Sequence, residues 1–221
     1  MADSSAIDLA RLVATQYHAR WGRACVHGAL LQVDGAGVLV VGQRASGKSV
    51  LSASALAAGG GIVSDDYLLV AKREDGVFGE RIREFLSLRR SWAGEALVDL
   101  TGLEWSLGRS GNRAYLRVPE GDARFPVHAR IDRIWVLRRP RAGRRQHSSL
   151  EAMSHAEVYA ALVTAIQPLL LGPDFPHERA QLQTLLAGLM ASAPAARLET
   201  GQDVVTDPAA TWHRLLGERV G

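Results

Sequence analysis

The sequence predicts one α/β domain over residues 1–221, with a helical C-terminal portion. Three observations predict it. The apolar stretch Val38 to Val41 runs into a glycine-rich turn and then into the alanine- and leucine-rich segment Ser49 to Ala58, a strand–loop–helix succession. Short apolar runs at Ile62–Val63, Ala114 to Val118 and Ile131 to Leu137 supply further strands. Beyond them, Leu150 to Leu171 and Glu178 to Ala191 have the length and apolar spacing of helices.

Residues 1–22 form an N-terminal element. From Ser4 to about Trp21, Leu9, Leu12, Val13 and Tyr17 fall at helical spacing after serines that can cap, which predicts an amphipathic helix. Residues 24–137 form the core. Ala24 to Val33 reads as a strand, Asp34-Gly35-Ala36-Gly37 as a turn, and Val38 to Val41 as a second strand feeding the loop Gly42 to Ser49. Gly59-Gly60-Gly61 stops the helix that follows. Ile62–Val63 opens a strand ending at Ser64-Asp65-Asp66, and Tyr67 to Lys72 continues extended to a turn at Glu74-Asp75-Gly76. The pattern then weakens as far as the strands at Ala114 and Ile131. Residues 138–149 form a basic loop, with Arg138, Arg139, Arg141, Arg144 and Arg145 beside Pro140 and Gly143. Residues 150–221 are the helical portion, its first two helices separated by Gly172-Pro173-Asp174-Phe175-Pro176 and followed by a strand at Ala196 to Glu199 and a helix at Pro208 to Leu216. Neither a repeat nor a long low-complexity linker divides the chain, so a single domain is the economical expectation.

Composition narrows the classes of function. A chain with 47% hydrophobic and 22% charged residues can bury a sizeable core and does not read as disordered. The most apolar stretch, Gly28 to Val41, is broken by Gln32, Asp34 and glycines, far short of the roughly 20 apolar residues of a spanning helix. Met1 to Ala10 lacks a basic segment followed by an apolar run, so no secretory signal is read and a cytoplasmic address is expected. Cys25 is the lone cysteine and, between Ala24 and Val26, reads as a buried strand thiol. The net charge of +3 is mild, and neither a recognition helix, zinc spacing nor an aromatic RNA-binding strand is seen, so neither nucleic acid nor membrane is an expected partner. The clustered arginines suit either a solvated loop or a grip on phosphate or an acidic partner.

The chemistry concentrates in one short window. Gly42-Gln43-Arg44-Ala45-Ser46-Gly47-Lys48-Ser49 matches the P-loop pattern, in which glycines let consecutive amides turn inward onto phosphate oxygens at a helix N-terminus. ATP and magnesium are the expected ligands, with Lys48 on the terminal phosphates and the Ser49 hydroxyl on the metal. Asp65 and Asp66 follow at the end of the next strand. Adjacent carboxylates beside a triphosphate can divide the work, one holding magnesium and the other taking the proton of an attacking hydroxyl, although two aspartates also make an ordinary turn or cap. His27, on the strand before the loop, is either a core histidine or a group that polarises an aspartate or touches the reacting phosphate.

Val26-His27-Gly28-Ala29-Leu30-Leu31, Gly35 to Val41, Ser46-Gly47-Lys48-Ser49 and Ile62-Val63-Ser64-Asp65-Asp66 together resemble the catalytic domain of HPr kinase/phosphorylase. The likeness covers about His27 to Tyr67 well and the remainder loosely. It implies a P-loop kinase domain of the HPr kinase/phosphoenolpyruvate carboxykinase type, and ATP-dependent phosphorylation of a serine hydroxyl on a protein. It also implies Asp65 as general base, Asp66 and Ser49 as metal ligands, His27 as a catalytic helper and a homo-oligomer. The two aspartate roles can be exchanged within the same scheme. The chain departs from the family at Lys48-Ser49-Val50, where Lys-Ser-Glu is common, and in lacking a clear downstream Arg-Gly segment, for whose glutamate Glu84 is the nearest candidate. Shortened relatives that phosphorylate a precursor peptide, as in lasso peptide maturation, make a peptide as reasonable an acceptor as a phosphocarrier protein. A small-molecule hydroxyl kinase and a non-catalytic ATP-binding sensor or assembly module are the alternative readings.

Overall fold

The computed structural model describes residues 17–89, 101–107, 113–138, 145–166 and 176–218. Most of the N-terminal helix expected from Ser4, Arg139 to Arg144 of the basic loop, and the separator from Gly172 to Phe175 lie outside these residues. Residues 17–19 are helical. Among the described residues no helix is long and apolar enough to cross a membrane.

The fold is mixed α/β. Its organising strand is β1 (Arg23–Val33), joined to β2 (Ala36–Val41) by a two-residue hairpin turn. Asp34 and Gly35 both have positive φ, 50° and 77°, as a tight hairpin matching the strand twist requires. On its other edge β1 pairs antiparallel first with β3 (Gly61–Ser64) and then with β4 (Tyr67–Arg73), so one long strand carries two consecutive partners. After α1 (Lys48–Ala57), β3 and β4, the chain adds β5 (Gly76–Arg81) and the small sheet made by β6 (Phe85–Arg89), β7 (Ser106–Leu107) and β8 (Arg113–Arg117). It returns through β9 (His128–Arg130) and β10 (Arg133–Leu137), then β11 (Ser149–Ala152), α2 (His155–Ala165), α3 (Pro176–Ser192), β12 (Ala195–Glu199), α4 (Asp203–Thr206) and α5 (Pro208–Gly217). The large sheet runs β11-β12-β10-β2-β1-β4-β5-β9, with β10 parallel to both β2 and β12.

Helices cover both faces of the central strands, and side-chain alternation sorts the core accordingly. Ala29, Leu31 and Val33 of β1 and Val38 and Val40 of β2 pack with Leu51 of α1 and with Trp212 and Leu215 of α5. Leu30, Leu39 and Val41 pack on the opposite side with Leu162 of α2 and Leu182, Leu185 and Leu189 of α3. Burial on both faces explains why β1 and β2 read as continuous apolar runs. Trp212 stacks on Trp135 at 5.2 Å and its indole N–H donates to Ser54 at 3.1 Å, tying α5 to β10 and α1. The first half of β1 has only one covered face, so Cys25 is half-buried rather than buried as its neighbours predict.

The expected helix Leu150 to Leu171 needs correction at its start. Leu150 lies in β11, which pairs antiparallel with β12, and the helix begins at His155. Ser154 accepts from the Glu157 amide while Glu157 accepts from the Ser154 amide, a capping box that sets this start. The portion after residue 149 therefore contributes the last two strands at one end of the sheet, β11 at its edge and β12 next to it, besides its helices. Strands β5, β6, β7 and β9, and helix α4, were not read from the sequence, because each is short and its apolar positions are few.

One close approach locks β2 against the link from β9 to β10. A Cβ on Gly37 would lie 1.8 Å from the Arg130 carbonyl oxygen, while the Gly37 amide donates to Asp132 at 2.8 Å. Gly37→Ala should lower unfolding free energy by about 1–3 kcal/mol, the scale of overpacking. Urea denaturation would show it against Gly217→Ala, where nothing lies within 4 Å.

Candidate functional site

The loop between β2 and α1 is shaped by backbone that side chains restrict. Gly42 passes so close to β10 that a Cβ there would meet the Leu137 carbonyl at 2.6 Å, and Gly47 turns the chain into α1 at φ 106°. Ala45, at φ 63°, holds a left-handed conformation that costs a non-glycine residue energy. The result is a curl closed by the Ser46 amide donating to the Gln43 carbonyl at 3.2 Å. Among the described residues the amides of Gly47, Lys48 and Ser49, at the start of α1, donate to no protein acceptor. They are the orphan donors of a helix N-terminus and carry its positive dipole end. Lys48 folds back across the curl, its Nζ donating to the Gly42 carbonyl at 2.7 Å and the Gln43 carbonyl at 3.2 Å. Burial pushes its ammonium below the usual lysine range; the Asp66 carboxylate opposes that shift and the Arg44 charge adds to it. Ser46 Oγ is buried in the curl without a partner among the described residues.

Facing this loop across a cleft of about 400 Å³ are Asp65 and Asp66. They occupy a bend between β3 and β4, where the Gly28 amide of β1 donates to the Asp66 carbonyl at 2.9 Å. In a straight strand two successive side chains would point to opposite faces, but the bend lets both carboxylates line the cleft. Their environments differ. Asp65 is buried, with one oxygen accepting from the Ser87 amide at 2.7 Å. Desolvation pushes its carboxyl up to about 7; the Ser87 hydrogen bond opposes this and the neighbouring Asp66 charge reinforces it. Asp66 is only partly covered. Burial would raise its pKa, but the hydrogen bond from His27 and the Arg83 guanidinium outweigh it and hold the group below the ordinary aspartate value. His27 Nε2 lies 3.3 Å from Asp66 Oδ1 and Arg83 Nη1 lies 2.5 Å from Oδ2. The His27 ring stacks on Tyr67 at 5.0 Å, and Arg83 sits over that same tyrosine at 5.2 Å.

His27, the loop from Arg44 to Ser49, Asp65 and Asp66 thus line one cleft, while Gly42 and Gln43 carry the carbonyls that hold Lys48. The fold adds Arg83, Ser87 and Arg113, which the sequence did not single out. Ser87 of β6 gives its amide to Asp65 and its hydroxyl accepts from Arg113 of β8 at 2.8 Å, so the small sheet forms one wall. Arg83 and Ser87 lie where the sequence pattern is weak, Arg113 borders the strand read at Ala114 to Val118, and a lone arginine or serine carries no recognisable spacing. Glu84 is exposed and is not among the residues lining this cleft. No cluster of three or more His, Cys, Asp or Glu able to hold a metal exists among the described residues. A divalent cation here would rest on Ser49 and Asp66 plus ligand oxygens. That oxygen donor set suits magnesium, and Asp66, held ionised with one hydrogen bond to each oxygen, keeps lone pairs to offer.

No protein-family model matches the chain, and the search of curated proteins finds no match. Among solved structures the chain is similar to the HPr(Ser) kinase/phosphatase from Coxiella burnetii, at 19% identity and a TM-score of 0.34, over 58% of this chain and 72% of that one. A superposition this loose carries no argument about function, which rests on the geometry of the cleft.

Proposed function

We propose that this protein is an ATP-dependent kinase that transfers the γ-phosphoryl group to a serine-type hydroxyl on a protein or peptide. One observation carries the reading: a curl of unpartnered amides with Lys48 faces two adjacent aspartates of opposite acid–base character across a single cleft. The amides of Gly47 to Ser49 receive phosphate oxygens, and Lys48 exchanges its loop carbonyls for the terminal phosphates. Magnesium, on Ser49 and Asp66, supplies neutralisation of the phosphate charge. Asp65 accepts the proton as the hydroxyl oxygen bonds to the γ-phosphorus and the bond to the β-phosphate oxygen breaks, leaving ADP. A base with a pKa of about 7 is matched to that transfer near neutral pH. His27 and Arg83 orient Asp66 and keep it ionised, and Arg113 steadies Ser87 behind Asp65.

The direct test is transfer of radiolabel from γ-labelled ATP to serine peptides and to their alanine counterparts. Label on serine peptides alone supports the kinase, whereas ATP binding with no transfer to any hydroxyl would leave a binding module. Within this scheme Asp66→Asn should raise the magnesium concentration for half-maximal transfer by at least about tenfold, since even outer partners of a metal matter on that scale. A magnesium titration of turnover checks it. An unchanged requirement would remove Asp66 from the metal.

A further inference from the structure

Beside the aspartate cleft, on the other side of the loop, a second cleft of about 840 Å³ opens between Gly42–Arg44, the end of β10 and the face of α2 carrying Ala160, Ala161 and Thr164. The two clefts share His27 and Arg44. We propose that this second cleft is the acceptor site and that it takes an acidic peptide segment. The proposal rests on the kinase reading for the word acceptor, though not for the ligand's chemistry.

Its position follows from Lys48. Because Lys48 Nζ reaches back to the Gly42 and Gln43 carbonyls, the terminal phosphates it serves lie at the start of the loop. A peptide held beyond Gly42–Arg44 would carry its hydroxyl past His27 and Arg44, which both clefts share, to reach Asp65. Ligand chemistry follows from charge. Arg44 forms no hydrogen bond or ion pair among the described residues. Glu199 is shared by Arg138 at 3.5 Å and Arg145 at 2.9 Å, so one carboxylate serves two guanidiniums and a positive charge is left over at the rim. Arg197 closes the far end, where Glu157 at 2.6 Å and Glu151 at 3.7 Å neutralise it, so the positive charge lies at the Arg44 and Arg138 end. The walls otherwise consist of alanine, valine, leucine and threonine, and none of the lining residues offers a large aromatic face to a base. A site of this size, at the upper end of the roughly 300–1,000 Å³ typical of ligand pockets, holds several residues of an extended chain.

The probes are two fluorescein-labelled serine peptides of equal length, one with glutamates flanking the serine and one with glutamines. Without nucleotide and at low salt, the glutamate peptide should bind at least about tenfold more tightly, and about 0.5 M salt should remove most of the difference. Arg138→Gln should weaken that peptide about threefold or more. Thr164→Trp, a change at an exposed helix position, should fill the cleft and abolish peptide binding while ATP affinity stays within about twofold. Equal binding of the two peptides would overturn the proposal. So would loss of ATP affinity in Thr164→Trp with peptide binding intact, which would make the cleft a nucleotide pocket, or competition by free glutamate or phosphoserine at the peptide's own concentration, which would make it a metabolite site. Should the acidic peptide bind as described yet never accept phosphate, the cleft's ligand stands and the kinase reading falls.

Discussion

Asp65→Asn should leave ATP affinity within about twofold while phosphoryl transfer falls by about 100-fold or more, because the amide keeps the shape of the base but cannot take a proton. The residual activity should also lose its pH dependence. In the parent protein the transfer rate should rise with pH and level off above about 7, as burial of Asp65 delays its ionisation to that point. Stability should move in the opposite sense. The folded-state pKa of about 7 lies above the 3.8 of an unperturbed aspartate, so the stability that Asp65 confers is fully present below about pH 4 and is lost as pH rises to about 7. The difference of about three units corresponds to roughly 4 kcal/mol at about 1.36 kcal/mol per unit. The substituted amide does not ionise, so without nucleotide or metal the variant should be more stable than the parent at pH 8 and close to it at pH 4. Thermal melts across that range, paired with single-turnover transfer, read both effects. A variant that phosphorylates at the parent rate would take the role of general base from Asp65 and make its carboxyl structural.

Lys48→Met should reduce ATP affinity by at least about tenfold and abolish measurable transfer, since hydrogen bonds to a charged group contribute about 1.5–3 kcal/mol each and none of the loop amides can replace a mobile cation. Methionine keeps the buried stem, so the loop need not collapse. The fold itself should not suffer. Burial lowers the pKa of the Lys48 ammonium, so carrying the charge in the folded state is a cost at neutral pH, and the neutral side chain removes it. Calorimetric titration with magnesium–ATP, set beside a thermal melt, separates lost binding from lost structure. Parent-like affinity in a folded variant would remove the phosphate-loop assignment.

Residues close together in the chain were legible as chemistry because local backbone alone constrains them. Gly42 to Ser49 between an apolar strand and an alanine-rich helix admits few conformations, and Asp34-Gly35 between apolar runs is a hairpin turn wherever it falls. Where local signals compete, the sequence misleads. Leu150 reads equally as strand or helix, and β-pairing with β12 decides it, even though the Ser154–Glu157 box was present to mark the helix start. Of the small sheet carrying Ser87 and Arg113 only the strand at Ala114 to Val118 is readable in the sequence, yet the sheet walls the cleft.

By itself, then, the sequence determined the glycine-rich loop, the neighbouring carboxylate pair and the α/β class, since glycine positions and apolar periodicity act over a few residues. Only the tertiary structure decided that Asp65 and Asp66 are unlike. Burial pushes one up in spite of the Ser87 hydrogen bond, while His27 and Arg83, 39 and 17 positions away from Asp66, hold the other down. Desolvation and charge depend on what surrounds a group in space, and no spacing along the chain encodes that.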